Sequence, residues 1–93
     1  MTIELLKEQV LTVINEFNIS KITLFGSRAD GTNREDSDVD LIVEFSSPVS
    51  LLTISALRCR LEELLGLEVD IIHGPIRSGD LIEIGKVVEL YAA

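Results

Sequence analysis

Two aspartates two positions apart, Asp38 and Asp40, follow a Gly26-Ser27 pair across a spacer of ten residues. Carboxylates at i and i+2 of a strand project to one face. There they can share a divalent cation, and hard oxygen ligands are what magnesium requires. A glycine turn lets backbone N–H groups come close to phosphate oxygens. A third carboxylate, Asp70, interrupts another apolar run, Val69-Asp70-Ile71-Ile72. Three carboxylates brought together repel one another, which favours a cation between them. The chemistry that needs this set is metal-dependent nucleotidyl transfer. Two divalent ions about 3.5–4 Å apart stabilise the attacking and leaving oxygens.

In this reading Asp38 and Asp40 bind or bridge both ions, and Asp70 binds only the ion near the acceptor oxygen. Gly26 gives the triphosphate close access to the backbone. The Ser27 hydroxyl and nearby amides donate to its β- and γ-phosphates. Arg28 either adds charge there or is a solvated loop residue. Alone, a Gly-Ser turn or an Asp-x-Asp pair says little. Together on three strand ends they are far more specific, because a purely structural role would leave Asp40 and Asp70 as unpaired carboxylates inside apolar strands.

The elements that must position these residues can be read from the apolar spacing. Ile3, Leu6, Val10, Val13, Ile14 and Phe17 predict a helix over 3–17, with Thr2 as N-cap and Asn18 as stop. Lys21 to Phe25 reads as a strand running into the Gly26-Ser27 turn, and 28–37 as a loop. Asp38 to Phe45 reads as a second strand, with Val39, Leu41, Val43 and Phe45 on one face and Asp38, Asp40, Ile42 and Glu44 on the other. Ser46-Ser47-Pro48 breaks the chain. Ile54, Leu57, Leu61, Leu64 and Leu65 predict a second helix closed by Gly66. Glu68 to His73 reads as a third strand ended by Gly74-Pro75. Leu81, Ile84, Val88 and Tyr91 predict a last helix, with Asp80 and Glu83 at capping-box spacing and Gly85 inside it. The expected fold is α/β (α+β), a small mixed β-sheet with helices packed on it.

The chain has 93 residues, so a single domain over 1–93 is expected. A content of 46% hydrophobic and 26% charged residues excludes a disordered chain. The net charge of −8 lacks the basic footprint of a protein that grips a nucleic-acid backbone. Cys59 is the only cysteine, which excludes an internal disulfide. No apolar run reaches the length of a membrane span, and Met1-Thr2-Ile3-Glu4 has no signal-peptide layout, so a cytoplasmic protein is expected. Arg58 and Arg60 with Glu62 and Glu63 read as a solvated helix face, His73 as a bystander at a strand end and Tyr91 as a packing residue.

The Gly26-Ser27, ten-residue, Asp38-x-Asp40 signature resembles the polymerase-β-like nucleotidyltransferase superfamily. Size and the missing nucleic-acid-binding region narrow the resemblance. Nearly the whole chain is similar to the minimal nucleotidyltransferase (MNT) domain, the antitoxin half of HEPN/MNT toxin–antitoxin pairs, with Ser37, Gly31 and Asp70 also matching. The resemblance implies a magnesium-dependent enzyme that transfers AMP from ATP to a tyrosine of a partner HEPN ribonuclease toxin and so silences it. Gly26 and Ser27 would then position the triphosphate, and Asp38, Asp40 and Asp70 would carry the metal ions. Many such domains carry a basic residue where this chain has Asp30, which is expected to point outward. Two other readings stay open: a non-catalytic antitoxin that masks its toxin by contact, and a nucleotidyltransferase for a small molecule such as an aminoglycoside. A homo- or hetero-oligomer is compatible with each.

Overall fold

The computed structural model describes residues 1–76 and 85–93. Helix α1, Ile3–Leu11, is capped by Thr2, whose Oγ1 accepts the Leu5 N–H at 3.1 Å. The apolar spacing predicts this helix to residue 17, but it stops at Leu11. The Thr12 N–H turns back to the Gln9 carbonyl and the Val13 N–H to the Val10 carbonyl, both at 3.2 Å. These are the i→i−3 bonds of a tightening helix end. The Thr12 hydroxyl also donates to the Gln9 carbonyl at 2.7 Å. Asn18, at φ 52, then turns the chain out of the segment. Val13 and Ile14 stay buried through these turns, which is why their spacing imitates a continuing helix.

Strand β1, Ile19–Phe25, runs into a one-turn helix α2, Ser27–Asp30, and the chain returns as β2, Val39–Phe45. Helix α3, Leu51–Leu65, is capped by Ser50 and, as the sequence predicts, ends on Gly66 in the left-handed region. It forms the crossover to β3, Val69–His73. A fourth strand, β4, Val88–Ala92, completes a sheet of order β3-β2-β1-β4. β1 pairs antiparallel with β2 and with β4, whereas β2 and β3 are parallel, so the sheet is mixed. A parallel pair needs a crossover connection, and α3 supplies it.

β4 corrects the predicted last helix. Asp80, Leu81, Glu83 and Ile84 lie outside the described residues. Val88 and Tyr91, however, belong to a strand, and Gly85 sits at φ +80 instead of inside a helix. The free edge of β1 presents unpaired backbone donors and acceptors. Pairing there lets Leu90 become 1% exposed, and that outweighs a weak helical spacing.

The core lies on one side of the sheet. Ile22, Leu24, Val39, Leu41, Val43, Val69 and Leu90 face Leu6 and Val10 of α1 and Leu57, Leu61 and Leu65 of α3. Each fully buried aliphatic side chain contributes about 1.5–3 kcal/mol. The alternation along β2 therefore turns Asp40 to the opposite, open face. Among the described residues, no helix is long and apolar enough to cross a membrane.

Candidate active site

β1 ends at Phe25 opposite Asp40, the second residue of β2, and in the parallel pair Asp40 stands opposite Asp70. Residues opposite each other in a parallel pair share a face, about 4.8 Å apart along the hydrogen-bonding direction. The open face thus carries Asp40 and Asp70 side by side at the end of the sheet where β1 leaves and β2 and β3 enter. Asp38 lies just before β2 and is exposed, as is Asp70, while Asp40 is half-buried. Among the described residues no three Asp, Glu, His or Cys side chains already converge on one metal position. The three aspartates form an adjacent, open set.

Electrostatics marks Asp40 as the centre of that set. Its pKa is raised above the ordinary 3.8, first by burial, then by the charges of Asp70 and Asp38, and last by hydrogen bonding with Asp70. All these causes penalise the carboxylate in the absence of a counter-charge. Hard oxygen donors that repel one another fit a divalent cation in kind.

Gly26 is the N-cap of α2 at φ 76, ψ −158, and a Cβ there would overlap the Asp40 carboxylate. Only glycine gives both this conformation and this approach. The Ala29 and Asp30 N–H groups turn back to the Gly26 carbonyl at 3.0 and 3.2 Å. The amides of Ser27 and Arg28 are thus the first-turn donors that a helix cannot pair internally. The fold brings them to the same sheet end as Asp40. Asp30 is exposed, as expected, and accepts from the Thr32 hydroxyl and N–H, which lowers its pKa.

Arg28 departs from one of its two sequence readings. It is 5% exposed, so it is no solvated loop residue. Its Nε donates to the Ser37 carbonyl at 3.1 Å, and its Nη2 donates to the carbonyls of Ser37 at 2.9 Å and Glu35 at 3.0 Å. The fork is directed into the loop that precedes Asp38.

Two supports of the site were not readable from spacing. The Glu62 carboxylate accepts the Val69 N–H at 3.1 Å, tying α3 to the strand start beside Asp70. The Glu68 carbonyl accepts the Val39 N–H at 2.8 Å, fixing β2 against β3 just after Asp38. The first spans seven residues from a helix to a strand and the second joins two strands distant in the chain, and no apolar spacing signals either. The remaining charges are peripheral: Arg58 pairs with Glu62 at 3.7 Å and Arg60 with Glu16 at 3.6 Å. Cys59 is exposed, and His73 packs edge-on against Phe45.

Beyond Asp40 the open face continues into a hollow of about 380 Å³ between Thr23, Ile42, Glu44, Pro75 and Val87. A larger hollow of about 540 Å³ lies elsewhere, between Phe17 and the start of α3, and holds none of the three aspartates.

The family model described as nucleotidyltransferase domain matches residues 6–90. The protein adenylyltransferase MntA of Thermococcus cleftensis is 46% identical over 64 residues, 68% of this chain and 65% of that one. A solved structure described as a minimal nucleotidyltransferase is 35% identical, with a TM-score of 0.71 over 90% of both chains. A solved complex of a tri-AMPylated HEPN toxin of Shewanella oneidensis with an MNT antitoxin superposes with a TM-score of 0.72. It covers 99% of this chain and 74% of that one at 18% identity, a likeness of fold. The matched residues run from α1 into β4 and include the Gly26 turn and all three aspartates; the chain belongs to the nucleotidyltransferase domain family and is a nucleotidyltransferase.

Proposed function

We propose that this nucleotidyltransferase is an antitoxin that transfers AMP from ATP to a tyrosine hydroxyl of a HEPN-type toxin, as a single cytoplasmic domain spanning residues 1–93. The observation that carries the reading is the Asp40–Asp70 register, with the Gly26 backbone against Asp40. The adenylyltransferase name of the Thermococcus relative supports AMP as the group moved. The HEPN toxin bound in a complex of the same fold supports the class of acceptor.

Asp38, Asp40 and Asp70 would hold the magnesium ions. When bound, the ions supply positive charge for the developing charge on the attacking and leaving oxygens. Gly26 and Ser27 receive the triphosphate through first-turn amides and the Ser27 hydroxyl. Asp70, on the outer strand of the pair, serves the acceptor side. The acceptor oxygen bonds to the α-phosphorus, the bond to the bridging oxygen breaks, pyrophosphate leaves, and the hydroxyl proton passes to solvent.

The test is the intact mass of the HEPN partner after incubation with this protein, ATP and magnesium, with the Asp38→Asn/Asp40→Asn double variant alongside. Mass gain in AMP steps with the wild type alone is expected. A stable complex with no mass gain would make the protein a binding antitoxin. Equal gain with the double variant would refute the metal site.

A further inference from the structure

We propose that Arg28 is a positioning residue for the transfer reaction: it sets where Asp38 stands relative to the Gly26-Ser27 turn, and it is not a phosphate ligand. The proposal rests on the reading of Asp38 as a metal-holding carboxylate.

Asp38 sits outside the regular pairing of β2, so the strand alone does not fix it. It follows a loop whose bonds, those of Arg28 apart, are local, among them a turn in which the Ser37 N–H donates to the Arg34 carbonyl at 3.2 Å. The Thr32 hydroxyl donates to Asp30 at 2.6 Å, and the Arg34 N–H donates to the Ser37 hydroxyl at 2.8 Å. Among the described residues, the hydrogen bonds that cross from α2 to the far end of this loop are those of Arg28. Its guanidinium grips the carbonyls of Glu35 and Ser37, and Ser37 is the residue before Asp38. On the other side of Asp38, the Val39 N–H is held by the Glu68 carbonyl at 2.8 Å. The backbone of Asp38 is therefore clamped on both sides. One clamp belongs to the helix that begins at the proposed triphosphate turn.

The chemistry of the clamp is specific to arginine. A planar fork can donate to two carbonyls at once, whereas an ammonium is a single point of charge on a flexible stem. The group is also buried, so turning it toward a phosphate would leave its carbonyl acceptors without those donors. A strut that ties the triphosphate end to a metal-holding carboxylate governs alignment, and misplacement by about 1 Å costs about 100-fold in rate.

The experiment compares Arg28→Lys and Arg28→Met with the wild type, each also combined with Asp38→Asn. Thermal melting checks folding. Free Mn²⁺, followed by electron paramagnetic resonance without nucleotide, gives metal affinity. Transfer to the HEPN partner gives kcat and the ATP KM. For Arg28→Lys the expected result is a folded domain with kcat lowered about 10- to 100-fold. Its ATP KM should stay within about 3-fold of the wild type. Its Mn²⁺ affinity should fall, and that fall should vanish in the Asp38→Asn background.

Raised ATP KM with unchanged Mn²⁺ affinity would make Arg28 a phosphate ligand and overturn the proposal. So would wild-type kcat and Mn²⁺ affinity in Arg28→Lys. An Arg28→Lys chain that no longer folds would make the residue a general support of the fold and overturn its local role. If Asp38→Asn alone kept full transfer and Mn²⁺ binding, the underlying reading of Asp38 would fail first, separately from the behaviour of Arg28.

Discussion

Gly26 and Asp40 are in contact across the β1–β2 pair, and a Cβ on Gly26 would fall on the Asp40 carboxylate. Gly26 also holds φ 76, where side chains are strained. Gly26→Ala should therefore destabilise the domain by about 1–3 kcal/mol from the backbone alone. It should also displace Asp40 and lower transfer by more than the lost stability explains. Denaturant melts and transfer rates measured on the folded fraction check this. A Gly26→Ala variant of wild-type stability would mean the turn is less constrained than its geometry implies.

Asp40 gives a pH dependence of definite sign. Its folded pKa is raised above 3.8 by burial and by Asp70 and Asp38. The folded state therefore holds its proton more tightly than the unfolded chain, and stability falls as pH rises from the ordinary carboxylate value through the raised one. In metal-free buffer, Asp40→Asn should be more stable than the wild type. The gap should widen as pH rises above the ordinary carboxylate value and level off once pH has passed the raised one. Because Asp40 is only half-buried, solvent screening keeps this gap small. Magnesium at about 100 times its Kd would stabilise the wild type by about 2.7 kcal/mol and Asp40→Asn much less. Urea titrations with chelator or magnesium would read both effects.

Asp70 is more exposed than Asp40 and lies on the outer strand of the parallel pair. Asp70→Asn should lower kcat for AMP transfer on the order of 100-fold or more, with ATP affinity little changed. Single-turnover kinetics and equilibrium ATP binding separate the two. Collapse of ATP affinity with normal turnover of bound ATP would reverse the assigned role.

Helix α3 offers a stability contrast inside one element. Leu57 is 0% exposed and Leu51 is 82% exposed. Leu57→Ala should cost about 2–5 kcal/mol, and Leu51→Ala should stay within about 0.5 kcal/mol. Unfolding midpoints decide it. A large loss at Leu51 would mean that this end of the helix is packed more tightly than its exposure indicates.

The local determinants of the site were legible from residue types and spacing. The run ending at Phe25 with Gly26 behind it specified a strand followed by a turn only glycine makes easily. The two-residue alternation from Val39 to Val43 buried the valines and leucine and turned Asp40 outward, because a strand has a period of two. Gly66 marked the end of α3 by capping chemistry that depends only on neighbouring residues, whereas the Ser50 cap at its start was not read from the sequence.

Tertiary structure decided everything that depends on which strand lies beside which. The parallel pairing of β2 with β3 set Asp70 against Asp40, and no local pattern encodes that register. The free edge of β1 drew Val88 to Ala92 into a strand, where short-range spacing favoured a helix. Arg28 was read as either a phosphate contact or a solvated loop residue, and its burial excludes the second. Its long side chain instead spans the loop to Ser37, and a hydrogen bond between residues nine apart exists only once the loop has folded back. Backbone preferences act over a few residues and can be read along the chain. Pairing, burial and long side-chain reach act through space, and only the assembled sheet determines them.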